Sequence, residues 1–393
     1  MSQALGRYVA LYCGLLMSIG AFSIDISLPA IPVMVQELDE PYALVQWTVT
    51  IYMFTSAFGQ LLWGPASDRF GRKAMLGGGL FLYFAGSVIC VFAPDIATLL
   101  AGRGLQGFGA SAAIVMSRAI IRDLYSGEEL ARNLALATMF FALGPIIAPF
   151  VGAGLAAALG WRAIFGALVA WSLVLIAMMV GVPETLKGRR PEALSPLSYW
   201  RNGLRLMRHP QSRRFTWVSI VSMTSMLLII ASAPRIYETT FGLTGLAFAS
   251  FFAFHGIGIV IGQWGNRHVI RQFGVARAAV TGNIVLVVAS SLILTASLTG
   301  LINPWLITAL LILYATSYLV VYSNAAAMVL DPHGEIAGFA TAFYGFASQI
   351  GSSTIVSALV VFNGGSIVSW AASLVGICLV CLALTASWRA PRT

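Results

Sequence analysis

The chain has 393 residues, of which 59% are hydrophobic and only 9% are charged. A soluble globular protein carries about 25% charged residues, so a fold whose whole surface faces water is excluded. Lysine and arginine (23) exceed aspartate and glutamate (14) to give a net charge of +9. So few charges do not cover a nucleic-acid-binding face, and we expect no nucleic-acid partner. The composition favours a polytopic membrane protein.

Long apolar stretches divide the chain into twelve predicted spans. A spanning helix needs about 20 mostly apolar residues, and the first half contains six such stretches, at about residues 8–31, 43–65, 74–93, 96–117, 131–157 and 161–181. The second half contains six more, at about residues 215–233, 246–265, 278–298, 303–323, 337–361 and 366–387. The first stretch lacks a small-residue cleavage site, so we interpret it as a retained helix. The predicted fold class is all-α.

One long polar interval separates the two halves. Residues 187–214 hold eight basic residues, one acidic residue and three prolines. We interpret this interval as a basic cytoplasmic linker between an N-terminal six-helix bundle, residues 1–186, and a C-terminal six-helix bundle, residues 215–393. Within the linker, residues 199–207 are a candidate amphipathic helix on the membrane surface.

The basic residues are concentrated on one predicted side of the membrane. If the N-terminus is inside, 20 of the 23 lysines and arginines lie in cytoplasmic segments. Arg162 and Arg235 lie in outer loops, and Arg103 lies inside a span. The positive-inside rule therefore predicts that both termini are cytoplasmic. A basic inner surface also predicts attraction to an anionic inner leaflet.

The segment between the second and third spans carries the most specific motif. Residues 59–73 read Gly-Gln-Leu-Leu-Trp-Gly-Pro-Ala-Ser-Asp-Arg-Phe-Gly-Arg-Lys. Gly59 and Gly64 leave a smooth face for close helix approach, and Gly71 can adopt the positive φ of a tight turn. A weaker copy follows the eighth helix, with Gly258, Gly262, Asn266, Arg267, Arg271, Gln272, Phe273 and Gly274. The two copies indicate an internal repeat of the two halves.

Within this motif, Asp68 is a candidate gating residue. It lies at the inner end of the second span, where it could meet the positive N-terminus of the eleventh span. Such a contact would join the halves on the inside and break when a cytoplasmic gate opens. A simple topogenic stop with a turn is the alternative. It would explain Arg69 and Arg72, but not the glycines or Asp68.

The motif of residues 59–73 resembles the signature loop of the major facilitator superfamily. Further segments of the first half resemble the bicyclomycin and chloramphenicol resistance (Bcr/CflA-type) drug:proton antiporters of that superfamily. These segments are Asp25 with Leu28-Pro29-Ala30-Ile31-Pro32, Arg103-Gly104-Leu105-Gln106-Gly107, Arg118 with Arg122-Asp123, Gly144-Pro145 with Pro149 and Gly152, and Pro183-Glu184-Thr185-Leu186. Ala148-Pro149 departs from the usual fifth-helix pattern, and the C-terminal half has no comparable match. The resemblance implies two six-helix bundles and a bacterial inner-membrane location, with Arg118 and Asp123 among the gating residues.

Asp25 and Arg103 are the candidates for proton coupling. Asp25 is the only acid placed well inside a predicted span, and Arg103 is the only base so placed. An ionisable residue within the membrane is expensive and by default functional. Each lies about seven residues from the outer end of its span, roughly 10 Å deep, so the two side chains could pair. The alternative is a purely structural polar pair.

The fifth and eighth spans both carry small-residue faces. The fifth has Gly144, Pro145, Pro149 and Gly152 on a bent helix, and the eighth has the glycines of the weaker repeat. Packing of these faces across the two halves would seal the central cavity against proton leak. Generic membrane packing is the alternative.

Other polar and aromatic side chains are candidates for contact with a substrate. These are Tyr52, Gln60, His255, Tyr318, Asn324 and Gln349. His255 could titrate near neutral pH, but core packing explains such residues equally well. Cys378 and Cys381 have CxxC spacing inside an apolar span, where packing is the better interpretation, and we expect no metal site.

Enzymatic and ATP-driven functions lack their residues. The two lysines, Lys73 and Lys187, are followed by Ala74 and Gly188, so the chain has no Gly-Lys-Ser/Thr phosphate-binding loop. His-Glu-x-x-His and Gly-x-Ser-x-Gly motifs are also missing. We therefore expect no enzyme and no cofactor.

The resemblance implies a proton-coupled exporter of small drug-like or amphiphilic compounds that works by alternating access, and we expect a monomer. An exporter of a native metabolite, peptide or siderophore with the same fold is the alternative.

Overall fold

The protein is described here from a computed structural model that covers residues 3–186, 188 and 195–388, and these residues contain helices and turns but no β-strand. The chain divides into two compact units, Met1–Arg201 and Asn202–Thr393. The division falls inside the predicted linker, of which residues 187 and 189–194 lie outside the described part.

The first unit is built from long helices joined by short connections. These are α1 (Gln3–Asp25), α2 (Ile31–Leu38), α3 (Tyr42–Phe70), α4 (Arg72–Val91), α5 (Ile96–Leu124), α6 (Gly127–Leu159) and α7 (Arg162–Met179). A 3-10 turn, Leu28–Ala30, joins α1 to α2. Helix α8 (Pro196–Arg208) begins in this unit and ends in the next.

The second unit is also built from long helices joined by short connections. Its helices are α9 (Pro210–Phe241), α10 (Gly245–Ala253), α11 (His255–Leu298), α12 (Pro304–Leu330), α13 (Ala337–Asn363) and α14 (Ile367–Ala386). A second 3-10 segment, Asp331–Ile336, joins α12 to α13.

The helices agree with the twelve predicted spans. Ten helical segments of the described residues are long and apolar enough to cross a membrane. The two other predicted spans coincide with α3, which has 29 residues, and α6, which has 33. In α6 the apolar part is Leu143–Leu159. The expected all-α, multi-pass fold is confirmed.

Two boundaries differ from the sequence-based expectation. The first predicted span ends at residue 31, whereas the first apolar helical segment continues to Leu38 and is interrupted after Asp25. Pro29 and Pro32 have no backbone N–H, so a continuous α-helix through this region loses hydrogen bonds. In the second unit, α11 consists of two helices that meet at Gly274, where φ is +78°, so the expected loop between the eighth and ninth spans is a sharp turn at this residue.

Helix α5 packs against α1, α3 and α4 in the first unit. A Cβ atom at Gly107 would lie 2.1 Å from the carbonyl oxygen of Tyr52 on α3. A Cβ atom at Gly109 would lie 2.4 Å from the backbone nitrogen of Tyr83 on α4. Glycine therefore allows α5 to touch the backbones of both neighbours. This contact places the side chain of Arg103, on the same helix, in the core of the unit.

Candidate functional site

The guanidinium group of Arg103 lies at the centre of the first unit. The residue has no solvent-exposed surface. Its Nε donates to the carbonyl oxygen of Thr48 at 3.1 Å, and its Nη1 donates to the carbonyl oxygen of Ser23 at 3.3 Å and to Oε1 of Gln106 at 2.6 Å. Among the described residues, Nη2 has no hydrogen-bond partner. The site therefore holds a fixed charge with one donor still available.

Aromatic rings surround the same charge. The guanidinium carbon lies 4.5 Å from the ring centre of Tyr52 and 5.8 Å from that of Phe165. A ring face attracts a cation without neutralising it, and this attraction is stronger where water is excluded. Tyr52, predicted as a substrate contact, is thus placed directly against Arg103.

A buried hydrogen-bond network extends from Arg103 to α1 and α4. The Nε2 of Gln106 donates to the hydroxyl of Ser87 at 2.7 Å, and this hydroxyl donates to the carbonyl oxygen of Tyr83 at 2.7 Å. The Tyr83 hydroxyl lies 2.7 Å from the hydroxyl of Ser23. Sequence reasoning did not assign a role to these partners. Gln106 could have been found, since its position three residues after Arg103 puts both on one helix face.

Asp25 is the last residue of α1 and is only 3% exposed. Its carboxylate makes no hydrogen bond or ion pair with any other described residue. The backbone around it is well satisfied: the N–H of Ile26 donates to the carbonyl oxygen of Phe22 at 3.1 Å, and the N–H of Ser27 donates to that of Ile24 at 3.1 Å. The acid group itself is therefore the unpaired element of this turn.

Arg103 binds the backbone at the end of α1, the helix that ends with Asp25, and forms no ion pair with that residue. Arg103 binds the carbonyl of Ser23, two residues before Asp25. A cation at a helix C-terminus is favourable because carbonyl groups there carry partial negative charge. By the same argument, a carboxylate at this end is unfavourable. The ion pair that the sequence suggested is not formed in this structure, and the coupling role of the two residues stays a prediction.

The motif of residues 59–73 forms a charge cluster at the end of α3. Arg72 is 5% exposed, and its side chain contacts Asp68 at 2.6 Å and Asp123 at 3.0 Å. The backbone N–H groups of Arg72 and Lys73 each donate to the carboxylate of Glu184 at 3.1 Å. These ionic contacts of the motif lie within the first unit, and the contact of Asp68 with the eleventh span stays a prediction.

Glu184 lies outside the spans and accepts several backbone hydrogen bonds. Burial alone would raise its pKa, but the N–H groups of Leu186, Lys73, Arg72 and Thr185 outweigh this effect and hold the pKa below its ordinary value. The ionised carboxylate therefore secures the start of α4 to the segment after α7.

The other gating candidates occupy several environments. Gly71 has a φ of +109°, as the tight turn requires. A Cβ atom at Gly59 would lie 1.9 Å from the hydroxyl of Ser111, whereas Gly64 has only Val115 nearby at 3.8 Å. Two arginines are exposed, namely Arg69, which lies 5.2 Å from the ring centre of Phe70, and Arg118.

The glycines of the fifth and eighth spans contact neighbouring segments of their own units. A Cβ atom at Gly152 of α6 would lie 1.9 Å from the carbonyl oxygen of Ile26, and one at Gly144 would lie 3.0 Å from the Cβ of Ala21. Pro145 and Pro149 are buried in the same helix. In the second unit, Cβ atoms at Gly258 and Gly262 would lie 2.2 and 1.9 Å from the carbonyl oxygens of Ile312 and Thr316 on α12. These glycines allow close contact with the end of α1 and with α12, and the expected packing between the halves stays a prediction.

The remaining substrate candidates are spread over both units. Tyr318 stacks on Tyr322 with ring centres 5.9 Å apart, and Nδ2 of Asn324 donates to Oδ1 of Asn266 at 2.9 Å. The ring of His255 lies 4.2 Å from that of Phe252, and its Nδ1 contacts the carbonyl oxygen of the same residue. Gln60 is half-buried on α3 and Gln349 is buried on α13. Of the six candidates, Tyr52 is the one seen to contact Arg103.

No candidate metal centre was found in the described part of the chain, where no three His, Cys, Asp or Glu side chains are grouped to hold an ion. The four cysteines, Cys13, Cys90, Cys378 and Cys381, are free and buried.

Comparison with known proteins places these features in a family context. Residues 12–356 match the Major Facilitator Superfamily. The chain is 30% identical to an uncharacterised MFS-type transporter, YdgK, of Bacillus subtilis, with 90% of this chain and 89% of the relative covered. It is 27% identical to a bicyclomycin resistance protein homolog of Haemophilus influenzae, with 88% and 87% covered.

The fold also matches a solved structure. The crystal structure of a D-xylose–proton symporter superposes with a TM-score of 0.77 at 15% identity, and covers 96% of this chain and 98% of its own. At this identity the likeness shows the fold alone. Together with the sequence matches, it confirms the resemblance indicated by the motifs.

Proposed function

Because the chain belongs to the Major Facilitator Superfamily, and is therefore a multi-pass transporter of small molecules and not an enzyme, we propose that it exports drug-like or amphiphilic compounds in exchange for protons. Similarity to a bicyclomycin resistance protein homolog supports this class of substrate. The membrane is the inner membrane of a bacterium, with both termini on the cytoplasmic side, as the distribution of basic residues favours.

The observation that carries the proposal is the unpaired, buried carboxyl group of Asp25 at the end of α1, the helix whose Ser23 carbonyl accepts a hydrogen bond from Arg103. Leaving an isolated carboxylate in such a site is costly, and protonation removes the charge. Deprotonation creates an anion at the end of α1, where Arg103 binds the carbonyl of Ser23 and keeps Nη2 as a donor without a partner. The guanidinium then moves from the carbonyl of Ser23 towards Asp25. Loading and unloading of one proton thus changes how α5 is bonded to α1.

This change is proposed to bias the rocking of two bundles, residues 1–186 and 215–393, about a central site. In this cycle Asp25 loads its proton from the outside and releases it on the inside, while the compound leaves. Tyr52, Gln60, His255, Tyr318, Asn324 and Gln349 are the proposed substrate contacts. The proposed gate has two parts. The first is the cluster around Arg72, with Gly59, Gly64, Asp68, Arg69, Gly71, Arg118 and Asp123. The second is the small-residue face of α6, with Gly144, Pro145, Pro149 and Gly152. The working form is a monomer.

Replacement of Asp25 by asparagine tests the proposal. Everted membrane vesicles with an imposed pH gradient should accumulate bicyclomycin or chloramphenicol through the wild-type protein. The Asp25→Asn variant should insert normally but lose the gradient-driven accumulation, because the amide cannot carry the proton. Asp95→Asn is the matched control: Asp95 caps α5 through its contact with the N–H of Thr98, and asparagine caps equally well.

Full gradient-driven transport by Asp25→Asn would overturn the assignment of Asp25. If neither compound is carried, counterflow with a panel of metabolites, peptides and siderophores comes next. Transport of one of these that depends on Asp25 would replace the drug substrate and keep the coupling site.

A further inference from the structure

Helix α8 is a short basic helix with one face against the protein. Its 13 residues, Pro-Leu-Ser-Tyr-Trp-Arg-Asn-Gly-Leu-Arg-Leu-Met-Arg, include three arginines and no acid. The hydroxyl of Tyr199 donates to the carbonyl oxygen of Leu61 on α3 at 3.1 Å, and Leu206 is fully buried. These two residues lie two helical turns apart on the same face, which anchors α8 along its length.

The opposite face combines exposed apolar and basic side chains. Leu197 and Trp200 are 75% and 69% exposed, and Arg201 and Arg208 are exposed beside them. At 100° per residue, Leu197, Trp200, Arg201 and Arg208 all fall within one third of the helix circumference. We call these four residues the outer face of α8. Tryptophan and leucine next to arginine suit neither a protein core nor bulk water, but they suit the boundary of a bilayer.

The connection to α9 keeps α8 at that boundary. A single residue, His209, separates the end of α8 at Arg208 from the start of the apolar helix α9 at Pro210. Since consecutive Cα atoms are about 3.8 Å apart, α8 stays within a few ångströms of the end of a membrane-spanning segment.

We propose that the outer face of α8 docks on anionic phospholipid headgroups of the adjoining leaflet. Arg201 and Arg208 bind headgroup phosphates, while Trp200 and Leu197 enter the interface. Charge complementarity selects this occupant, because the whole segment 187–214 contains eight basic residues and one acid. The proposal requires only that the chain spans a membrane, so it is independent of proton coupling and of drug export.

Hydrogen–deuterium exchange of the full-length protein in nanodiscs tests this docking. Amides of α8 should exchange more slowly when phosphatidylglycerol is added to phosphatidylcholine discs, and raised ionic strength should weaken the effect. Each basic group near an anionic surface contributes a factor of about five. Arg201→Gln with Arg208→Gln should therefore lower the added protection by about 25-fold.

The matched control carries Arg271→Gln with Arg277→Gln. These two arginines are exposed on α11, so the substitutions remove the same amount of charge at a different place. It should keep the protection of α8, and exchange in α5 should be unchanged in both variants, which reports intact folding. Equal exchange of α8 in the two lipids, or equal loss in both double variants, would refute docking by the outer face. Protection by inorganic phosphate alone in phosphatidylcholine discs would also refute it, since no lipid surface is then needed.

Discussion

Arg103 shows how a buried charge can be held without a bonded carboxylate. Three oxygen atoms, from Thr48, Ser23 and Gln106, accept its hydrogen bonds, and the ring of Tyr52 lies 4.5 Å from its guanidinium carbon. Hydrogen bonds from a charged donor are stronger than neutral ones, and the planar fork of arginine can serve several acceptors at once. The geometry of the fork, and not the charge alone, therefore holds α1, α3 and α5 together at this point.

Replacing Arg103 by lysine separates geometry from charge. A lysine ammonium group keeps the charge but reaches fewer of the three acceptors, and each buried acceptor left unpaired costs about 1–3 kcal/mol. We expect Arg103→Lys to lower the free energy of unfolding by about 2–4 kcal/mol, and to abolish gradient-driven transport. Unfolding in detergent and transport in everted vesicles are the two measurements.

Arg162→Lys provides the comparison at an exposed site. Arg162 lies 3.4 Å from Glu37 on the protein surface, where an ion pair contributes at most about 1 kcal/mol. Its substitution should change neither stability nor transport by much. If Arg103→Lys lowers stability and transport as little as Arg162→Lys does, then the geometry of the guanidinium group is not required for either property.

The burial of Asp25 and Arg103 was predictable from the sequence because both lie inside apolar stretches of spanning length, where ionisable residues are rare and costly. The hydrogen-bond partners of Arg103 were not predictable. Arg103 binds backbone carbonyls of Thr48 and Ser23, and every residue type has such a carbonyl, so no sequence pattern marks those partners. The end of α1 two residues after Ser23 agrees with the prolines that follow it, but the oxygen atoms that Arg103 reaches depend on how α5 packs against α1.

At the scale of the helix, the break after Asp25 and the glycines of α6 form one structural unit. A Cβ atom at Gly152 would lie 1.9 Å from the carbonyl oxygen of Ile26, directly after Asp25. The α6 backbone therefore lies against the turn that ends α1. The glycine holds this turn in place and so acts as a positioning residue for Asp25.

A pair of glycine substitutions in α6 tests this role. Gly152→Ala should force the turn at Ile26 to move, with a loss of about 1–3 kcal/mol in the free energy of unfolding. Gly154, one half-turn away, has no atom within 4 Å of the Cβ position. Gly154→Ala should be neutral or stabilise the helix by about 0.5–1 kcal/mol.

Transport provides the second measurement on these variants. Gly152→Ala should shift the pH dependence of transport, since the position of Asp25 changes, while Gly154→Ala should leave the profile unchanged. A destabilised Gly152→Ala protein with an unaltered pH profile would reduce Gly152 to a packing residue.

The helices themselves were largely predictable, since each apolar stretch of spanning length forms one. The exceptions have physical causes. In α11, residues on both sides of Gly274 continue as helix, because glycine takes a φ of +78° and turns the chain without a loop. In α2, apolar residues after Pro32 extend the first segment to Leu38. Hydropathy reports burial in lipid or protein, but not where a helix kinks.

For the whole molecule, the scarcity of charge determines what can be inferred. With 9% charged residues, each basic residue contributes visibly to the asymmetry between the two sides of the membrane. Twenty of the 23 lie in the segments assigned to one side. The same scarcity makes the single basic interval stand out in the sequence, and the division between the two compact units falls inside it. Glycines mark close approach, but not the helix that approaches.

The orientation of the molecule is the last expectation to be tested. Translocation of basic loops is unfavourable, so the side rich in lysine and arginine stays in the cytoplasm. A green fluorescent protein fused after Thr393 should fluoresce, and alkaline phosphatase fused there should be inactive. Phosphatase inserted at Gly300, in the turn between α11 and α12, should be active if this turn lies on the outer side, as the positive-inside rule predicts. Active phosphatase at Thr393 would mean that the basic segments are translocated, and the direction of proton entry at Asp25 would then be reversed.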